Sequence, residues 1–197
     1  MPVVRPRWLS DAERIDRAVY AAIASTETPA LDRAMSRLAR AADYSRLSLA
    51  AAAGLAITRG PAGRRAAGLG LASVAVTSAV VNLAVKPLSR RRRPDPDTED
   101  VPEARRVPVP GSRSFPSGHA AAAFAFATGV GRVLPREAAA LRALAALVAY
   151  SRVHTGVHYP GDVLAGSLLG GALAQLTTHA LESTPAQATG TVGSAVR

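Results

Sequence analysis

Apolar residues fall in long blocks after about position 46 of this chain and in a helical stripe before it. Between Ser10 and Ala42, Ile15, Val19, Ile23, Leu31, Met35 and Leu38 recur at helical spacing among charged residues, and Pro29 divides the stretch. This pattern predicts two amphipathic helices, too charged to span a bilayer, whose basic residues beside an apolar face suit the headgroup region; a helical cap on a soluble protein is the alternative. Ala66 to Val85 is an uncharged run of 20 residues, the length of a membrane-crossing helix. Val163 to Leu181 is a second run, of 19, with Gly166 and Gly170 at the spacing that lets membrane helices approach closely. Leu47 to Thr58, Ala120 to Leu134 and Ala138 to Tyr150 are shorter, and Arg132 and Arg142 interrupt the last two. Arginine can snorkel from a helix end, so these also read as spans in a chain already committed to the bilayer. The expected fold is all-α: a polytopic membrane helical bundle of about five transmembrane helices plus the N-terminal amphipathic helices. A single domain over 1-197 is expected, with interfacial helices at 1-46, a transmembrane core at 47-182, and a disordered tail at 183-197 that is rich in Thr, Gly, Ala and Ser.

Composition narrows the chemistry. The chain has no cysteine, which rules out disulfides and thiolate metal sites. A net charge of +10 fits nucleic acid, anionic lipid or an anionic substrate. Nucleic acid is disfavoured because the interleaved aromatics of such surfaces are missing and aromatic residues make up only 4% of the chain. No cleavable signal peptide is expected, since charges precede the first apolar stretch.

Three segments carry candidate chemistry. Lys86 closes the long apolar run and Arg90 to Arg93 and Pro94 follow, so cations emerge at the depth of a phosphate headgroup. Arg offers a planar fork and Lys a point charge, and the two can share one phosphoryl group. The arginine run as a whole serves equally well as a basic membrane anchor. The mixed, charged segment Asp95 to Ser114 reads as a surface loop without a core of its own. It leads to Pro116-Ser117-Gly118-His119, a turn at the start of an apolar helix whose first amides point back at it, as in anion sites. Ser117 can add a hydroxyl or simply cap the helix, Gly118 lets a phosphate approach the backbone, and His119 can act as general acid. In the third segment, His158 and Asp162 follow Ser151-Arg152, with Tyr159-Pro160-Gly161 turning the chain before the last apolar run. A carboxylate on one imidazole nitrogen frees the other to attack phosphorus, which makes His158 the candidate nucleophile and Asp162 both its partner and the expected helix cap. His154 and His179 read as structural or solvent-facing.

With these frames in place, Lys86-x6-Arg93-Pro94, Pro116 to His119, and Ser151-Arg152-x5-His158-x3-Asp162, the chain resembles the type 2 phosphatidic acid phosphatase superfamily, in its membrane branch. That superfamily includes lipid phosphate phosphatases, glucose-6-phosphatases and vanadium haloperoxidases. The resemblance covers roughly Lys86 to Leu181. It implies a phosphohistidine on His158, His119 as leaving-group acid, Asp162 as partner of His158, and Lys86, Arg93, Ser117, Gly118 and Arg152 around the phosphate, with no metal and no cofactor. The substrate it implies is a phosphomonoester or pyrophosphate of a polyprenyl lipid or glycerolipid, such as a polyprenyl-linked sugar phosphate. A small soluble phosphate ester, or a basic membrane protein without catalysis, is the alternative. Membrane members commonly have six spans, whereas five are expected here. Most of the 24 basic residues lie in segments on the motif-bearing side, so the positive-inside rule predicts an active site facing the cytoplasm across the cell's inner membrane.

Overall fold

The computed structural model describes residues 6-95, 97, 101-109 and 111-183, and all the regular structure among them is helical. Apart from Ser183, the tail expected to be disordered lies outside the described residues. Helices α1 (Arg7–Ser25) and α2 (Pro29–Ala41) fill the amphipathic stretch, with Pro29 in the first turn of α2, where its missing N–H costs nothing. The five apolar blocks become α3 (Arg46–Thr58), α4 (Gly60–Ala79), α6 (Gly118–Gly131), α7 (Pro135–His154) and α8 (Pro160–Ser183). Beyond Ala79 the chain continues through a six-residue π-helical stretch, Val80–Val85, into the short α5 (Lys86–Leu88). Pro87 explains the widening: it has no N–H to give the carbonyl four residues back, and its ring would collide with that carbonyl in a regular helix. The consequence is local, because Lys86 sits immediately beyond the distortion.

Helix α6 occupies the centre and packs against α4, α7 and α8, while α3 lies on α4. Its alanines 120, 121, 125 and 127 are fully buried, so small side chains set the spacing. Backbone contact is closest on the α8 side. A Cβ on Gly166 would lie 2.4 Å from the Ser117 carbonyl oxygen, and one on Gly170 would lie 2.1 Å from that of Ala121. Only hydrogen fits at either position. This pairing holds the start of α6 against the start of α8, and Ser117 N donates to Asp162 O at 2.9 Å.

The outward surface is apolar. Leu164, Leu168 and Leu176 on α8, Leu83 after α4 and Ile57 on α3 are all more than half exposed, an arrangement suited to lipid. By length and composition one helix qualifies as a membrane span among the described residues, the 29 residues Gly60–Leu88.

The segment Asp95 to Ser114 differs from expectation. Instead of a loop without a core, it inserts Val101 and Arg105 into the protein, both almost completely buried. Arg105 Nε donates to Asp32 Oδ1 at 2.7 Å, and its NH1 donates to the carbonyls of Ile23 at 2.9 Å and Ala24 at 3.1 Å. Its NH2 reaches Thr26 O and Thr28 Oγ1. The guanidinium thus satisfies carbonyls that the end of α1 leaves open. Sequence hid this because a lone arginine in a polar stretch carries no periodic signal. His154 completes the cluster from α7, its Nε2 lying 2.9 Å from the same Asp32 oxygen. Of the two histidines read as structural or solvent-facing, His154 is buried and His179 exposed.

Candidate active site

All eight residues singled out in the sequence lie at one end of the bundle, where α5 ends, α6 and α8 begin and α7 terminates. Lys86 and Arg93 are joined by Ser112, which the sequence did not mark: its Oγ lies 3.3 Å from both Lys86 Nζ and Arg93 NH2. Arg93 Nε also donates to Ser112 O at 3.0 Å. Gly118 makes room for Lys86, whose Nζ would be 3.5 Å from a Cβ built there. Ser117 is buried, and its Oγ accepts from Ala120 N at 3.4 Å, so it caps α6.

Arg152 is also buried, held by NH1 donating to Ala39 O at 3.3 Å, and its Nε has no hydrogen-bond partner in the structure. A buried guanidinium donor left open is costly unless an anion completes it.

His158 lies in the turn between α7 and α8, 1% exposed. Arg93 NH1 is 2.9 Å from its Nε2 and donates to Val157 O at 2.8 Å. Arginine has only protons to give, so Nε2 presents its lone pair and the ring proton resides on Nδ1. That nitrogen faces Ser114 Oγ at 3.4 Å and Asp162 Oδ2 at 3.5 Å. Burial pushes the imidazole down to about 4, with Arg93 and Arg152 adding to the effect and Asp162 opposing it. The ring is therefore neutral near pH 7.

Asp162 does not sit at the helix cap. Helix α8 begins two residues earlier at Pro160, which leaves Asp162 inside the first turn with its carboxylate turned back on the loop. It accepts from Tyr159 N at 3.0 Å, from Arg91 NH1 at 3.0 Å, and from Ser114 Oγ. Arg91 also pairs with Asp16 of α1 and stacks 4.5 Å above the Tyr159 ring. One arginine of the run thus serves the site from behind, a role indistinguishable in sequence from that of its neighbours.

His119 has a partner the sequence did not predict. Its Nε2 is 2.9 Å from Asp43 Oδ1, in the turn between α2 and α3, and the same oxygen is 3.8 Å from Arg152 NH1. A cavity of about 180 Å³ opens beside His119, Lys86 and Gly118 and continues between α3, α6 and α7 along Leu47, Ala122, Ala123 and Val148. Lys86 and the first residues of α6 line its polar end, with Arg93 behind Lys86 through Ser112 and Arg152 behind His119 through Asp43, a set of cations and helix N-terminal amides that suits a phosphoryl group.

Known proteins resemble this chain in sequence and in fold. A decaprenylphosphoryl-5-phosphoribose phosphatase from Mycobacterium tuberculosis is 33% identical over 169 residues, covering 81% of this chain and 88% of that protein. A lipid A 1-phosphatase from Rhizobium etli is 42% identical over 64 residues, a match spanning 32% of this chain and 28% of the relative. The crystal structure of Aquifex aeolicus LpxE superposes with a TM-score of 0.68 at 26% identity, over 82% of this chain and 93% of that one. The PAP2 superfamily model matches residues 67–184, which include every motif residue at this end of the bundle, and the chain belongs to that superfamily.

Proposed function

We propose that this protein is an integral membrane lipid phosphate phosphatase that works through a phosphohistidine on His158. Its single domain would comprise interfacial helices over 1-46 and a core over 47-182 with five spans, namely α3, α4 with its extension to α5, α6, α7 and α8. In this mechanism His158 Nε2 attacks phosphorus while Asp162, with Ser114 between, holds the opposite ring nitrogen. Lys86, Arg93 and Arg152 neutralise the phosphoryl oxygens, and Ser117 and Gly118 bring the first amides of α6 to them. His119 protonates the leaving oxygen and then activates the water that releases phosphate.

The observation that carries a lipid substrate is the shape of the cavity. Its polar end holds Lys86, Gly118 and His119 and its floor is apolar along Leu47, Ala122, Ala123 and Val148, running between helices whose outer faces are also apolar, so a headgroup and its tail have separate places. Similarity to a phosphatase whose substrate is named for a decaprenyl chain and a phosphoribose supports a polyprenyl-linked sugar phosphate. Detergent-solubilised protein should release phosphate from a polyprenyl or glycerolipid phosphate faster than from soluble sugar phosphates. Activity should persist in excess chelator, because the three cations supply the charge a metal would, and vanadate should inhibit as a mimic of the trigonal transition state. Abolition by chelator with rescue by magnesium, or preference for the soluble esters, would overturn this proposal.

Five spans put α1 and α2 on the active-site side, and the basic residues collected there support a cytoplasmic orientation in the inner membrane. A single cysteine at Val109, exposed in the segment before α6, should resist a membrane-impermeant thiol reagent in intact cells. Ready labelling would place the site on the outer face.

A further inference from the structure

We infer that Asp43 is a positioning residue for the leaving-group acid: it holds the His119 ring through Nε2, so that Nδ1 carries the proton delivered to the leaving oxygen. The inference rests on the phosphohistidine mechanism proposed above. Asp43 lies 76 positions before His119 and reaches it at 2.9 Å. The turn that brings it there is strained, because Tyr44 and Ser45, neither of them glycine, both have φ of 56°. Such backbone persists only where its surroundings or its function demand it. Burial does not repay the strain, since Tyr44 is 84% exposed. What the turn achieves is to direct the Asp43 carboxylate inward while Tyr44 points out.

The charges around His119 make this carboxylate matter. Lys86 from α5 lines the same cavity as the ring and Arg152 from α7 lies beyond it, whereas Asp43, from the turn before α3, places a carboxylate oxygen 2.9 Å from Nε2 and 3.8 Å from Arg152 NH1. A general acid must hold its proton until the substrate arrives, and a carboxylate on the far nitrogen favours the protonated ring. The two histidines would then be held in complementary ways. Asp162 faces Nδ1 of His158 and leaves Nε2 for phosphorus; Asp43 takes Nε2 of His119 and leaves Nδ1 for the leaving group. The cycle balances. As the His158 Nε2–P bond forms and the P–O bond to the alcohol breaks, the Nδ1 proton of His119 passes to the departing oxygen. Water then attacks phosphorus and gives a proton to that Nδ1, the P–N bond breaks, phosphate departs, and His119 is again an imidazolium.

The test compares the full-length parent with Asp43→Asn and Asp43→Glu in detergent, on dodecyl phosphate and on 4-nitrophenyl phosphate. The nitrophenolate leaves without needing a proton. For Asp43→Asn, kcat on dodecyl phosphate should fall about 100-fold, with a loss at least roughly tenfold smaller on the nitrophenyl ester. Asp43→Glu should recover part of the rate on dodecyl phosphate and part of the difference between the two esters. Vanadate should still inhibit Asp43→Asn at close to parental concentrations, because Lys86, Arg93 and Arg152 all remain and Arg152 keeps its bond to Ala39 O. Parental rates, equal losses on the two esters, or loss of vanadate binding together with activity in both variants would overturn the role of Asp43. Failure of the underlying mechanism reads differently: the parent would release phosphate from neither ester, or His158→Ala would match it.

Discussion

Replacing His158 with alanine is expected to lower phosphate release from a lipid phosphate by at least ~10⁴-fold, because it removes the atom that bonds to phosphorus. The parent, quenched during turnover with labelled substrate, should carry an acid-labile, base-stable phosphoryl group that is absent from the variant. The ring's surroundings also fix a pH dependence. A free imidazole titrates near roughly 6.5, whereas burial pushes His158 down to about 4. Protonation removes the attacking lone pair, so kcat/KM should hold steady through neutral pH and fall only as the pH approaches 4 from above. Parental turnover by His158→Ala would eliminate the mechanism. An acid limb centred near the free-imidazole value would instead mean that the ring is more solvated than its burial in the structure implies.

Replacing Arg105 with alanine is the substitution expected to cost most in stability. Arg105 is fully buried, and it answers Asp32 and three carbonyls at the end of α1. Deleting it strands a buried carboxylate beside His154, a situation worth about 3–5 kcal/mol. For a chain of this length, that corresponds to a fall in Tm of roughly 10 °C in detergent. Arg105→Met keeps much of the volume and should still lose most of the stability, whereas Asp32→Asn added to Arg105→Met should restore part of it, since the uncompensated charge is then gone. Activity should fall with stability, because Arg105 fastens the segment that leads to Ser112 and Ser114. Unfolding of Arg105→Ala within a degree or two of the parent would show that the cluster contributes little.

Element boundaries were legible wherever the chain changes composition abruptly. Helix α3 begins one residue before the apolar block at Leu47 and ends with it at Thr58, and Pro29 marks the start of α2, because proline tolerates only the first turn. The π-helical stretch before Lys86 was not anticipated, although Pro87 is its physical cause. Within the site, the histidine frames could be read because each packs several uncommon residues into a few positions. Ser112, Ser114, Arg91 and Asp43 could not. Each is a common residue in a polar stretch, and its importance comes from a partner distant in the chain: 26 residues for Ser112 and Lys86, 48 for Ser114 and Asp162, 71 for Arg91 and Asp162.

The sequence by itself determined the helical class, the division into an amphipathic front and an apolar core, and the family, and it named eight residues that the structure gathers at one end of the bundle. All of these follow from local periodicity or from short spacings along the chain. Tertiary structure alone decided that Asp95 to Ser114 docks through Arg105 onto the junction of α1 and α2, that Arg91 supports Asp162, and that Asp43 faces His119. Buried charges are placed by whichever opposite charge the packing of helices brings within about 4 Å, and that pairing depends on how α2, α6 and α7 meet. A linear pattern records which charges exist and leaves their partners to the packing of glycine against backbone and alanine against alanine at the centre of the bundle.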